Sequence, residues 1–108
     1  MDQKELEVNK VIGTFMGWDE NGDYSSEIPM SYLSAEDLKY TSSWDWLMPV
    51  IEKIETIEDF VVDISYKQCE IKSYQRERII TSVRYLDTKI SAAASAIVDF
   101  IDWYKKLN

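Results

Sequence analysis

Apolar residues recur along this chain with two different periods, and the change of period divides it. Val8, Val11, Ile12, Phe15 and Met16 keep the 3, 1, 3, 1 spacing of one helix face, with Leu6 ahead of them and Asp2, Glu5 and Asn9 opposite. Asp2 and Glu5 also fall where the positive end of a helix dipole favours acids. Gly17 is a stop signal, while Gly13 weakens the interior by about 1 kcal/mol relative to alanine. Residues 17–42 lose the pattern: they hold two Gly, a Pro and six Ser/Thr, with Trp18, Tyr24, Tyr32 and Tyr40 as aromatic anchors. A loop of that length in a small domain is unusual and often functional. Ser34, followed by Ala35-Glu36-Asp37, is placed to start a short helical turn.

The helical period returns in "SWDWLMPVIEKIET". Leu47, Val50, Ile51 and Ile54 form a buried stripe, Trp44 extends it by spacing, and Trp46 flanks it. Pro49 lacks an N–H and costs about 3 kcal/mol beyond the first helical turn. Two starts follow: Ser43 caps the helix and Pro49 kinks it, or Trp44–Met48 is a tight turn and the helix begins near Pro49. With either start the tryptophans are expected to pack and Asp45 to cap, so that truncating Trp44 costs about 3–5 kcal/mol.

From Phe60 the period becomes two. Phe60, Val62, Ile64 and Tyr66 alternate with Val61, Asp63 and Ser65; Cys69, Ile71 and Ser73 alternate with Gln68, Glu70, Lys72 and Tyr74. Ile79, Thr81, Val83 and Tyr85 alternate with Arg78, Ile80, Ser82 and Arg84. Three such segments with polar breaks predict an antiparallel meander, one face on the core and one face wet. Asp87 or Thr88 then caps a last helix with the stripe Ile90, Ala94, Ile97, Val98, Ile101, Tyr104, widened by Phe100, Trp103 and Leu107. Its "SAAASA" run allows close approach to the sheet. The expectation is one α+β domain over residues 1–108, ordered α, loop, α, β, β, β, α, with a three-stranded antiparallel sheet and the helices packed on one face.

Composition supports a folded chain: 45% of the 108 residues are apolar and 13% aromatic, enough for one core without staples. No apolar run approaches the ~20 residues that cross a bilayer, and "MDQKELEVNK" has no signal-peptide order. The single Cys69 excludes an internal disulfide, which suits a reducing cytoplasm; it reads as a small buried hydrophobe. The net charge of −8 is unevenly spread: residues 1–66 carry −11 and residues 67–108 carry +3. Such a chain is repelled by nucleic acid and anionic membranes and attracted to basic surfaces.

Chemistry is sparse. The chain has no His, which removes the usual general base, the Ser–His and Cys–His pairs and the commonest zinc ligand. Residues 19–30, "DENGDYSSEIPM", place Asp19, Asn21, Asp23, Ser25 and Glu27 at the spacing of a calcium loop. Tyr24 and Met30 stand where that loop needs Gly and a bidentate Glu. No catalytic residue, cofactor or metal is expected, and no enzyme. Two candidate binding surfaces remain. Asp45, Glu52, Glu55 and Asp59, spaced 7, 3 and 4, form an acidic line opposite the buried stripe. Lys72, Arg78 and Arg84 with Tyr74 and Ile80 form a basic-aromatic patch on the wet sheet face.

"LKYTSSWDWLMPVIEKIE" and "TKISAAASAIVDFIDWYKKLN" resemble short uncharacterised proteins of phages and prophages of the Bacteroidetes group, in which close variants of "SSWDWLMPVVEKIE" and "TKIEA…AVVEFIKWYN" occur. Phe15-Met16-Gly17 is also similar. The likeness covers about half the chain, most strongly Ser43–Glu55, and departs in residues 18–34 and in the sheet. It implies a phage protein acting in the host cytoplasm. The expected function is a non-enzymatic inhibitor of a host defence complex, of the anti-CRISPR kind, whose acidic surface meets a basic surface of a host protein or nucleoprotein. No direct nucleic-acid or membrane contact is expected. The alternative is a self-associating structural or regulatory phage protein, a homo-oligomer built through the sheet face or its edge.

Overall fold

The computed structural model describes residues 3–18, 34–84 and 86–107. Their order is α1 (Gln3–Phe15), a 3-10 turn (Ala35–Asp37), α2 (Trp44–Ile57), β1 (Phe60–Ser65), β2 (Gln68–Ser73), β3 (Arg78–Val83) and α3 (Lys89–Leu107). This is the expected α+β architecture, with the antiparallel sheet in the order β1-β2-β3. The calcium-like spacing and the anchors Tyr24 and Tyr32 lie outside the described residues.

α3 lies across the sheet, chiefly over β2 and β3, and α1 packs on α3. Ala92, Ala93, Ala94 and Ala96 are all buried because α3 is enclosed from two sides; larger side chains would hold sheet and α1 apart. Thr88 is the cap: its Oγ1 accepts the Ser91 N–H at 3.1 Å. Phe60, Phe100, Trp103 and Tyr104 close one end of the core, Phe60 meeting Phe100 edge-on at 4.9 Å and Trp103 at 5.9 Å. Leu107, expected to widen the stripe, is exposed beyond the sheet's reach.

α1 ends in a Schellman motif. Gly17 takes φ 102°, the Trp18 N–H donates to the Gly13 carbonyl at 2.8 Å, and the Gly17 N–H donates to that of Thr14 at 3.1 Å. Trp18 thereby folds back over Gly13 and is buried, as is Tyr40, so both described anchors of the loop pack. The turn at Ser34 also forms: Ser34 donates its backbone N–H and its hydroxyl to Asp37 Oδ2, each at 3.0 Å. Asn9 departs from its expected place on the polar side. It is fully buried, its Oδ1 accepting the Thr41 N–H at 3.2 Å. The buried face of α1 is therefore turned toward Asn9, Ile12 and Gly13, because the segment before α2 crosses there.

The sheet differs from simple alternation in β3. Ile71 pairs with Thr81 and Lys72 with Ile79, so a bulge falls at Ile80. Ile80 turns toward the core, and Ile79, expected inside, is 49% exposed. Arg78 shifts with them to the α3 side of the sheet, where its guanidinium lies 5.8 Å from the Trp103 ring.

Candidate functional site

α2 begins at Trp44, so the first of the two starts holds, with Pro49 inside the helix. Its inward stripe is Leu47, Val50, Ile51 and Ile54, all buried. Trp46 meets Tyr40 edge-on at 5.3 Å, and burial of Tyr40 raises its phenol pKa. Trp44 does not join the stripe. It is the first helical residue, no described element lies beyond it to cover it, and it is 38% exposed. Ser43 makes no side-chain cap bond, and Asp45 acts only as an acid in the first turn.

The outward face of this end of α2 consists of Trp44, Asp45, Met48, Pro49 and Glu52, all exposed. Trp44 and Met48 are one turn apart, and Asp45, Met48 and Glu52 are spaced by three and four, so they form one contiguous strip. Asp45 and Glu52 make no hydrogen bond or ion pair with a described residue. The strip is an apolar pair between two unneutralised carboxylates, held on a helix whose other face is core.

The rest of the acidic line is engaged internally. Glu55 Oε2 accepts the Val62 N–H at 3.2 Å, sealing the outer edge of β1. Asp59 Oδ1 accepts the Ser73 hydroxyl at 3.3 Å, and its Oδ2 accepts the Gln75 N–H. These two carboxylates satisfy backbone and turn groups, so Asp45 and Glu52 are the free members of the four. Spacing on α2 could not reveal this, because the donors come from β1 and the β2–β3 turn.

The basic-aromatic patch is also divided. Arg84 stays on the open face with Lys72, but an ion-pair ladder neutralises both: Lys72 to Asp63 at 3.3 Å and Glu70 at 3.7 Å, and Arg84 to Glu70 at 3.2 Å. The bond to Asp63, then its charge, raises the Lys72 pKa. Arg76 pairs with Glu58 at 2.6 Å and lies 5.3 Å from the Trp103 ring. Arg78 has no acid partner among the described residues. Beside it a shallow groove of about 240 Å³ is lined by Lys72, Ser73, Tyr74, Glu77, Arg78 and Ile79, with Tyr74 67% exposed. Met48 and Ile79 thus belong to the exposed surfaces, although the pattern left Met48 unassigned and placed Ile79 inside. The i, i+4 relation of Met48 to Trp44 was the available signal for the first; the bulge hides the second.

Among the described residues no group of three or more His, Cys, Asp or Glu is placed to hold a metal, and no helix is long and apolar enough to cross a membrane. Comparison with protein-family models, curated proteins and solved structures returns no match. Function must be argued from these surfaces.

Proposed function

We propose that this is a non-enzymatic binding protein that docks the N-terminal face of α2 on a basic protein surface. The observation that carries it is the Trp44–Met48 pair, exposed between Asp45 and Glu52. Trp and Met are enriched at interface centres and Trp is a frequent hot spot. Carboxylates around such a pair act mainly on encounter rate and on choice of partner. The same stretch carries the strongest likeness to phage proteins, which supplies the finer reading: an inhibitor, made in the infected cell, of a host defence complex whose basic surface normally meets nucleic acid.

A plating assay tests it. In a bacterium whose nucleic-acid-guided nuclease restricts a phage, expression of the protein should restore plating at least a hundredfold. Trp44→Ala with Met48→Ala should abolish the effect. Trp44 is 38% exposed, so its truncation should cost less than the ~3–5 kcal/mol of a fully buried core aromatic, and circular dichroism checks that the variant remains folded. No restoration by the unaltered protein across such systems overturns the inhibitor reading. Full activity of the double variant removes the α2 face from it.

A further inference from the structure

We infer that the cleft between the first turns of α1 and α3 binds a free α-amino acid with an apolar side chain, held through both of its charged groups. The cleft has a volume of about 190 Å³. That exceeds the ~150 Å³ that admits a benzene ring and falls below the ~300–1,000 Å³ of pockets for larger ligands. Val8 from α1, Leu86 from the β3–α3 connection and Ala94 from α3 supply apolar wall. Lys4 and Asp87 bring opposite charges to the same lining, and both are exposed to solvent. Neither side chain makes an ion pair or hydrogen bond with a described residue, so the cleft keeps the two charges apart and unmatched. On α3, Ser91 and Ser95 stand one turn apart along this lining. The Ser91 hydroxyl accepts that of Thr88 at 2.8 Å and keeps its own proton to donate. The Ser95 hydroxyl has no partner among the described residues. Glu5, also in the lining, already has an interaction of its own.

These groups select a ligand by its charges. A carboxylate is met by the Lys4 ammonium and the serine hydroxyls, an ammonium by Asp87, and each contact is a charge-assisted hydrogen bond. An anion without an amine leaves Asp87 unmatched and is repelled by a chain of net charge −8. An amine without a carboxylate leaves Lys4 unmatched. A zwitterion satisfies both and carries no net charge into that field. Within a peptide chain the two charges never fall on one residue, so the class is the free amino acid. The apolar wall takes its side chain, and the volume limits that side chain to about the size of one ring. The cleft lies between α1 and α3, whereas the host contact proposed above uses the outward face of α2, so neither reading rests on the other.

Titration of the isotope-labelled full chain with L-leucine and with L-phenylalanine, followed through its amide resonances, tests the inference. Saturable shifts should gather at Val8, Leu86, Ser91 and Ser95 with at least one of the two. The matching amide, which lacks the carboxylate, and the matching N-acetyl derivative, which lacks the ammonium, should each bind roughly ten- to a hundredfold more weakly, the worth of one charged hydrogen bond. Lys4→Met should weaken the free amino acid by a similar factor and erase its advantage over the amide. Asp87→Asn should erase its advantage over the N-acetyl derivative. Both positions are exposed, so the variants should fold, and unchanged resonances away from the cleft check this. Ser95→Leu, which fills the cleft without altering its charges, should abolish the shifts. Absence of saturable shifts with both amino acids at tens of millimolar overturns the inference. So does equal binding of the blocked derivatives, or binding that either charge substitution leaves unchanged. The plating assay reads the α2 face separately, so either idea can fail alone.

Discussion

Gly13 sits in the middle of α1, where glycine costs about 1 kcal/mol relative to alanine. A β-carbon there would lie 2.9 Å from Leu38 Cδ1 and 3.4 Å from Trp18 Cβ. Leu38 is fully buried and Trp18 nearly so, so neither can step aside freely. Overpacking of this kind costs about 1–3 kcal/mol, which exceeds the gain in helix propensity. Gly13→Ala should therefore lower stability by about 1 kcal/mol in urea unfolding; an increase would mean that the loop anchor gives way cheaply. Asn9 follows the same logic. A polar residue on the wrong side of a helical wheel is tolerated because Thr41 presents a backbone N–H to it.

At the scale of elements, the carboxylates of the α2 region divide by what they touch. Asp59 joins the α2–β1 connection to the β2–β3 turn through the Ser73 hydroxyl and the Gln75 N–H, and Ser73, itself buried, accepts the Arg76 N–H at 3.1 Å. Asp59→Ala removes an acceptor from two donors, a loss of about 1–3 kcal/mol. Glu52→Gln should stay within about 0.5 kcal/mol, as exposed substitutions do. Thermal unfolding of the two variants side by side separates the internal acids from the free ones, and equal shifts would contradict the division. The bulge at Ile80 is the other device of this scale. It takes β3 out of simple alternation and leaves Ile79 facing solvent.

At the scale of the molecule, the central strand reports on the whole core. Cys69 is fully buried between β1 and β3. Burial, with Asp63 and Glu70 adding to it, pushes its thiol up to about 12. A raised thiol pKa means the neutral form persists in the folded protein through the whole range below that value, and the thiolate is the reactive species. A thiol reagent at pH 8 should leave the native protein unmodified and label one thiol after denaturation. Slow native-state labelling should track global unfolding, since no local opening reaches a central strand cheaply. Rapid labelling of the folded protein would contradict the packing of β2 under α3.

The apolar periods alone determine the elements and their order. Leu47, Val50, Ile51 and Ile54 demand a buried helix face, and Cys69 with Ile71 a buried strand face, whatever surrounds them. Single-residue signals such as Gly17 and Thr88 likewise act on their own neighbours, so helix ends were legible. Contacts between elements were not. Asn9 depends on Thr41, thirty-two residues away, and Glu55 on the edge of a strand it precedes. Trp44 shares its spacing with the core stripe but lies where the packing ends. The candidate surfaces were half legible for the same reason. Asp45 and Glu52 could be read from helical spacing, whereas the freedom of Arg78 and the exposure of Ile79 follow from a bulge that only pairing with β2 creates. Local patterns fix which side chains need burial, and the tertiary structure decides which donors and acceptors remain unmatched at the surface.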